Sequence, residues 1–328
     1  MMPSISDDLA ALGIRLESAP CAFCGMGGGT PVVVGRDRQH GLPGRFHVVR
    51  CESCGLMRTD PRPTVDSIGR YYPADYAPYQ VTPAWWDRHR GLAALMDGGW
   101  TRMPAAPPGR LLELGTSTGL FLERMQQRGW EVTGIESSAA AAHAASARTR
   151  RPVHALDLNR AADLEALVAS GSYDVVCAWM VIEHLHDPVA VLRRAFDWLA
   201  PGGWLAMSVP DAGSWMFRAF GDAWFCLDVP RHLYHFSATT LRMVLTACGF
   251  RDITMTRPGT VGDLVYSAVA RLDDRGWLAR DTSRRLLAPL PVRGLMAGAG
   301  LVARVVPMSS CVVVTARRPR DRDGASHE

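Results

Sequence analysis

The amino-acid sequence predicts an α/β protein: a doubly wound, Rossmann-like sheet with a small cysteine-rich ribbon at its N-terminal end. Three observations carry this. From Arg110 to Arg257, short apolar runs alternate with helical stretches, the pattern of a parallel sheet with crossover helices. The first apolar run ends in a glycine-bearing turn, Glu113-Leu114-Gly115-Thr116-Ser117-Thr118-Gly119. Ahead of this block stand two Cys-x-x-Cys pairs, Cys21/Cys24 and Cys51/Cys54, with 26 residues between them.

In chain order, residues 1–60 form a partly helical leader and the ribbon. Residues 61–109, rich in Pro, Tyr and Trp, read as a connector with one or two helices, closed by the breaker run 103–110. Strands follow at 110–114, 130–136, 152–156, 173–179, 204–210 and 250–257, each a short run dense in apolar or β-branched residues. The periodic stretches 118–129, 138–150, 187–200 and 237–249 are helices, with another near 162–170. Pro201-Gly202-Gly203 stops the helix at 187–200, and Ser237 is the expected N-cap of the last. Residues 258–309 form an insertion with helices at about 262–288 and 293–305. They are an accessory pair on the core, or a substrate cover or membrane-surface patch with apolar and arginine faces. The run 310–318 is a final strand within a domain spanning 110–318, and 319–328 is a tail, disordered at 321–328.

Composition narrows the chemistry. All 36 basic residues of the 328 are arginine, which excludes Schiff-base and phosphate-loop mechanisms that need a lysine amine. Asn159 is the lone asparagine and isoleucine occurs only six times, so the absence of lysine reads as a coding bias toward GC-rich codons. At 48% hydrophobic and 21% charged, the chain can bury a proper core. The acidic N-terminus (Asp7, Asp8, Glu17) is no signal peptide, and no run of about 18 apolar residues exists to span a membrane. A cytoplasmic protein is expected. The net charge of +4 is unevenly placed: up to Ala270 there are 25 arginines and 26 acids, while 271–328 holds 11 and six. A near-neutral body with one basic end argues against nucleic acid and points any anionic partner, phosphate or lipid headgroup, to the C-terminal segment.

The segments Cys-Ala-Phe-Cys-Gly and Cys-Glu-Ser-Cys-Gly each offer two thiolates on a tight turn. Four thiolates at Cys21, Cys24, Cys51 and Cys54 satisfy a tetrahedral structural zinc, a closed site with no open position for catalysis. Cys177, Cys226, Cys248 and Cys311 lie singly among apolar residues and read as buried small hydrophobes. Seventeen residues beyond Gly119 the second strand closes on Glu136, a carboxylate placed to accept hydrogen bonds from ribose hydroxyls.

On these residues the chain resembles the class I S-adenosylmethionine-dependent methyltransferases. Residues 113–119 match the acidic-x-Gly-x-Gly-x-Gly turn, with Ser117 in place of the middle glycine, which fits if Ser117 keeps an ordinary negative φ. Gly134–Ser137 match the ribose-binding strand end, and Ala155–Leu158 match the segment where an Asp meets the adenine amino group. Residues 173–188 and 199–210 match the fourth- and fifth-strand motifs. The resemblance covers residues 110–257 and the last strand, and implies a seventh strand antiparallel beside the fifth. It also implies S-adenosylmethionine held by Glu113, Gly115, Thr116, Ser117, Gly119, Glu136, Ser137, Asp157, Leu158 and Trp179. A dinucleotide site is disfavoured, because the turn lacks Gly-x-Gly-x-x-Gly spacing.

Three histidines are candidates for proton transfer. His184 follows Glu183 just past the fourth strand, and either faces the methyl donor or acceptor or packs its turn. His232 and His235 lie on the loop after the fifth strand, which overlooks the crevice; His235 could instead cap the next helix. Some ubiquinone-pathway O-methyltransferases bind a metal through an acid three residues before the Glu, where this chain has Met180, which argues against a catalytic metal. Tyr71, Tyr72, Tyr76, Tyr79, Trp85, Trp86, Trp100, Trp215 and Trp224 roof a pocket or pack the ribbon on the domain. The expected activity is methyl transfer to a small or medium acceptor at oxygen. Similarity to ribbon-bearing bacterial enzymes implies a sugar, glycolipid or secondary-metabolite acceptor. The alternatives are an RNA methyltransferase gripping RNA with its ribbon, and a non-catalytic binding scaffold suggested by Ser117.

Overall fold

The structure, a computed structural model, describes residues 9–73, 76, 101–160, 164, 171–258, 261–276 and 309–320. The expected connector helices, the helix near 162–170, residues 277–308 of the insertion and the tail at 321–328 lie outside these residues.

The N-terminal part holds β1 (Leu16–Glu17), β2 (Thr30–Gly35), β3 (Phe46–Arg50), β4 (Met57–Thr59) and β5 (Arg62–Pro63). The alternating block follows: β6 (Arg110–Leu114), α1 (Leu120–Gln127), β7 (Glu131–Glu136), α2 (Ala139–Thr149), β8 (Val153–Ala155) and β9 (Tyr173–Trp179). It continues through α3 (Pro188–Trp198), β10 (Leu199–Pro210), α4 (Trp215–Phe220), β11 (Tyr234–His235), α5 (Ala238–Ala247), β12 (Arg251–Thr256), α6 (Val261–Asp274) and β13 (Cys311–Arg317).

Seven strands form one sheet in the order β12-β13-β10-β9-β6-β7-β8. All neighbours are parallel except β13, which runs antiparallel between β10 and β12, as the resemblance implied. The central strands are buried on both faces: Leu111, Leu112, Val175, Val176, Leu205 and Met207 have no exposed surface. That is why these runs are continuously apolar rather than alternating. Ser138 caps α2, Asp187 caps α3 with Pro188 in its first turn, and Ser237 with Thr240 forms a capping box on α5. Helix α4 had no counterpart in the sequence reading, since six residues are too few to show a helical period. β10 starts at Leu199, five residues earlier than expected. The Pro-Gly-Gly run is taken into the strand as a register shift against β9 between Leu199 and Trp204.

The ribbon is joined to the large sheet through its backbone. Its four-stranded antiparallel sheet has the order β11-β4-β3-β2, and its outer strand β11 belongs to the chain that follows β10. Tyr234 pairs with Arg58 and His235 with Met57, and the Thr59 amide donates to the Leu233 carbonyl at 2.9 Å. One apolar core runs through both parts, from Phe46, Leu56 and Tyr71 to Leu233, Phe236 and Leu112. Arg58, 1% exposed, donates to the carbonyls of Ala19 and Gly28 and pairs with Asp60 at 3.1 Å. Arg62 joins Glu17 to the His186 carbonyl.

Two arginines of the basic end have structural work. Arg318 donates to the carbonyls of Phe196, Asp197 and Leu199 at the end of α3. Arg317 lies over the Trp204 ring and donates to Gly202. Their charge is therefore largely engaged within the fold. Helix α6 faces the ribbon, where Asp274 pairs with Arg36 at 3.0 Å and Arg38 at 2.8 Å. Among the described residues, no helix is long and apolar enough to cross a membrane.

Candidate functional site

A cleft of about 740 Å³ opens at the C-terminal ends of β6, β7 and β9, the crevice position of a doubly wound sheet. Two sets of residues wall it. The first comes from strand ends of the large sheet: Gly115, Ser117, Glu136, Asp157, Leu158 and Trp179. The second comes from the segment after the ribbon, the turn after β9 and the loop after β10: Tyr72, Tyr76, His184, Phe225, Asp228 and His232.

In the first set, the turn after β6 lines the cleft through Gly115 and Ser117. Gly115 has φ +70°, and a Cβ there would lie 2.5 Å from Val181 Cγ2. Ser117 does not take the negative φ that its substitution for glycine seemed to require. It sits at φ +50°, and its amide donates to Glu136 Oε2 at 2.8 Å. Ser138 N and Ser137 Oγ hold the other oxygen, at 2.9 and 3.2 Å. The Glu136 carboxylate is thus oriented by three donors, and the non-glycine left-handed residue is the strained member of that cradle.

Glu113, Thr116 and Gly119 lie outside the cleft lining. Glu113 is 3% exposed, its Oε2 meets no partner among the described residues, and burial followed by the Glu136 charge pushes its carboxyl well up. It is a buried acid beneath the turn. Thr116 is likewise buried. Gly119 has φ +79°, and a Cβ would meet Ala145 Cα and Cβ at 2.9 Å, so it serves the close approach of α1 and α2. Asp157 Oδ1 accepts from the amide and side-chain nitrogens of Asn159, both at 2.9 Å. Asn159 Oδ1 in turn accepts from the His186 amide at 2.8 Å. The chain's lone asparagine therefore ties the third strand end to the loop after the fourth, a role that its rarity alone did not signal.

In the second set, His184 lies in the short 3-10 turn Ile182–His184 after β9. Its Nδ1 is 3.1 Å from the Arg231 carbonyl and 2.9 Å from Tyr72 Oη. His232 Nδ1 is 2.9 Å from the Cys226 carbonyl. A carbonyl oxygen only accepts, so each Nδ1 carries the proton and each Nε2 is a bare lone pair. The two rings meet edge to face at 4.6 Å. Burial holds both imidazoles down to about 3, with the His232 charge adding to the effect on His184 and the His235 charge on His232. Both are neutral at physiological pH. Glu183 is fully buried, and neither oxygen meets a hydrogen-bond partner among the described residues. Burial pushes its carboxyl up to about 8, so it is mainly protonated at pH 7. His232 Nε2 stands 4.0 Å from Glu183 Oε1 and 3.9 Å from Asp228 Oδ2. Glu183, His184 and His232 bring three ligand-capable atoms within 4.8 Å, and Met180 adds no oxygen to them.

His235 is not brought to the cleft. It sits in β11, 3% exposed, with Nε2 3.1 Å from Thr59 Oγ1. The Thr59 hydroxyl proton is committed to the His232 carbonyl at 2.9 Å, so His235 Nε2–H donates to Thr59. Pairing of β11 with β4 turns this side chain into the seam between ribbon and sheet. Of the aromatic residues, Tyr72 and Tyr76 line the cleft, 5.0 Å apart and edge to face. Tyr71 and Trp224 are buried packing, Trp215 is exposed, and Tyr79, Trp85, Trp86 and Trp100 lie outside the described residues.

The four ribbon cysteines converge, and none is in a disulfide. Cys21 and Cys54 Sγ are 3.5 Å apart, Cys24 and Cys51 Sγ are 3.4 Å apart, and all four lie within 4.8 Å of one another. A tetrahedral zinc with Zn–S of about 2.3 Å requires sulfur separations of about 3.8 Å. The Gly25 and Gly55 amides close each knuckle onto the Cys21 and Cys51 carbonyls. The donor set and its spacing fit that ion.

Comparison with known proteins places this geometry. The model of a family described as a methyltransferase domain matches residues 87–255, about half of the chain. The chain is 28% identical over 167 residues to a ubiquinone biosynthesis O-methyltransferase of Pseudomonas aeruginosa, covering 46% of this chain and 69% of that protein. A protein of the same name from Psychrobacter arcticus is 31% identical over 183 residues, covering 52% and 67%. Among solved structures, a SAM dependent methyltransferase from Archaeoglobus fulgidus aligns over 75% of this chain and 99% of its own, at 16% identity and a TM-score of 0.46.

Proposed function

The chain belongs to the methyltransferase domain family and is a class I S-adenosylmethionine-dependent enzyme; from that premise we propose that it methylates a hydroxyl of a small or medium acceptor, a sugar, glycolipid or secondary metabolite. The observation that carries this is His232. Its proton is fixed on Nδ1 by the Cys226 carbonyl, so a bare Nε2 faces the cleft beside Glu183 and Asp228.

Bound S-adenosylmethionine supplies a methyl already activated for transfer, which leaves the protein to align the acceptor and take its proton. Glu136, held by Ser117, Ser137 and Ser138, would accept from the ribose hydroxyls. Asp157, steadied by Asn159, would meet the adenine amino group, with Leu158 and Trp179 beside it. Gly115 leaves room for the backbone to approach. His232 Nε2 would accept the hydroxyl proton, and the Asp228 carboxyl, 3.9 Å away, stands where an imidazolium would be stabilised. His184, anchored by Tyr72 and the Arg231 carbonyl, would orient the acceptor from the opposite side. Cys21, Cys24, Cys51 and Cys54 would hold one structural zinc, which supplies fold stability and no step of the reaction.

Oxygen as the acceptor atom is supported by the names of the relatives, which are O-methyltransferases. A small acceptor rather than RNA is supported by the ribbon's Arg58 and Arg62, both turned inward onto backbone carbonyls. The test is transfer of tritiated methyl from S-adenosylmethionine into deproteinised source-cell extract, before and after ribonuclease. The reading expects ribonuclease-resistant label, lost in His232→Gln; label that disappears with ribonuclease replaces it by RNA methylation. In calorimetry, Glu136→Ala removes hydrogen bonds to a charged acceptor at about 1.5–3 kcal/mol each, so the S-adenosylmethionine Kd rises about 100-fold or more. Unchanged binding overturns the assignment of the ribose site.

A further inference from the structure

The ribbon reaches further into the site than its cysteine pattern requires. Asp37, two residues past β2, has a side chain with no exposed surface. Its carboxylate accepts from the amides of Gln39, His40 and Leu42 at 3.0, 3.1 and 3.2 Å, and from Arg231 Nη2 at 2.6 Å. Arg231 is also fully buried. It donates from Nη2 and Nε to Asp228, at 2.6 and 3.0 Å, and from Nη1 to the Tyr71 carbonyl at 3.0 Å. Arg231 is thus clamped between a carboxylate of the ribbon and one of the cleft wall. Arg231 itself and the Asp228 end of the clamp meet the histidines. The Arg231 carbonyl receives the His184 Nδ1 proton, and Asp228 Oδ2 stands 3.9 Å from His232 Nε2.

One carboxylate would suffice to balance Arg231, yet the structure buries two. Burial opposes ionisation of Asp37, but the hydrogen bond and charge of Arg231 outweigh it and hold the carboxyl below the ordinary range. At Asp228, burial wins over Arg231 and the carboxyl is raised. Arg231 is shared between the two: it reaches Asp228 through Nε and Nη2 and Asp37 through Nη2 alone, so Asp37 holds the guanidinium from the ribbon side while Asp228 also stands beside His232. Asp37 has no bond to any of the four cysteines, so this duty is separate from the metal knuckles.

We propose that Asp37 is a positioning residue of the active site: acting through Arg231, it holds Asp228 and the Arg231 carbonyl so that His184 and His232 both keep their Nε2 atoms turned to the acceptor. The ribbon is then one wall of the catalytic machinery rather than an appended binding module. This rests on the reading of His232 as the base.

The test uses the full zinc-loaded chain in two variants, Asp37→Asn and Asp37→Ala, with 15N-labelled histidine. Long-range 1H–15N spectra report each ring's tautomer without any acceptor. Wild type is expected to show His184 and His232 as single Nδ1–H tautomers. In Asp37→Ala both signals move toward a tautomer mixture, while those of His143 in α2 and His154 in β8, which do not line the cleft, stay put. In Asp37→Asn, which keeps the shape and loses the charge, methyl transfer into the extract falls roughly tenfold or more. Its Kd for S-adenosylmethionine stays within about twofold, because Glu136 and Asp157 are untouched. Unmoved His184 and His232 signals in both variants overturn the proposal. So does a loss of zinc or of S-adenosylmethionine binding that parallels the loss of rate, which would make Asp37 a general prop of the fold. A wild type that transfers no methyl overturns the base reading alone, since the tautomer signals report Asp37's hold independently.

Discussion

Replacing His235 by Gln separates a seam residue from a catalytic one. His235 is buried at β11, and burial holds its imidazole down to about 3. In the unfolded chain it returns to an ordinary value of about 6.5. A base with a depressed folded value contributes stability above the unfolded value, and that stability is lost as pH falls below it. Between pH 7.5 and 5.5 the unfolded chain takes up almost a full proton at this site and the folded chain takes none. The linkage relation makes this a loss of about 1.4 kcal/mol in the wild type. His235→Gln keeps a donor for Thr59 and costs about 1–2 kcal/mol at pH 7.5 through lost ring packing. That deficit then shrinks by about 1.4 kcal/mol at pH 5.5, because the variant has no imidazole to protonate. Urea unfolding of both proteins at pH 5.5, 6.5 and 7.5 with zinc held constant reads the difference, from which His184, His232, Glu183 and the metal site cancel. Parallel stability curves would refute the buried, neutral assignment. A transfer rate in His235→Gln that falls as far as in His232→Gln would refute its placement outside the reaction.

Two further expectations follow from the same geometry. Gly119→Ala forces a Cβ into a left-handed residue and onto Ala145, a cost of about 2–4 kcal/mol, seen as a lowered Tm with S-adenosylmethionine affinity unchanged well below it; an unaltered Tm would mean that α1 and α2 do not meet there. Elemental analysis should find about one zinc per chain. Chelation should unfold the ribbon sheet and, through β11, abolish transfer, whereas metal-free protein of full stability would sink the zinc assignment.

The large sheet was legible because its signals are local. Buried parallel strands must be continuously apolar, helices must be capped, and a carboxylate at the end of the second strand stands a fixed number of residues from the glycine turn. Glu136 was read from that spacing, and Asp157, Leu158 and Trp179 from the family resemblance; all four line the cleft. The same reasoning placed Glu113, Thr116 and Gly119 in the site, whereas they lie beneath the turn or between two helices. A motif records which residues recur along the chain but not which of them point inward. The roles of Asn159 and Arg231 were passed over, since a single polar residue gives no period.

The sequence by itself determined the order of strands and helices, the convergence of two cysteine knuckles and the crevice where the cleft opens. Those properties depend on neighbours a few residues apart, whose periodicity and turn chemistry are written in the chain. Only the tertiary structure decided which of two histidines on one loop reaches the cleft. That choice rests on β11 pairing with β4, a hydrogen-bonded ladder between residues more than 170 positions apart. It also decided that Ser117 takes a left-handed backbone, that Arg318 caps a helix, and that Asp37 meets Arg231. Each of these is settled by a partner brought near only when the ribbon and the sheet fold against one another, and such a partner leaves no periodic mark in the sequence.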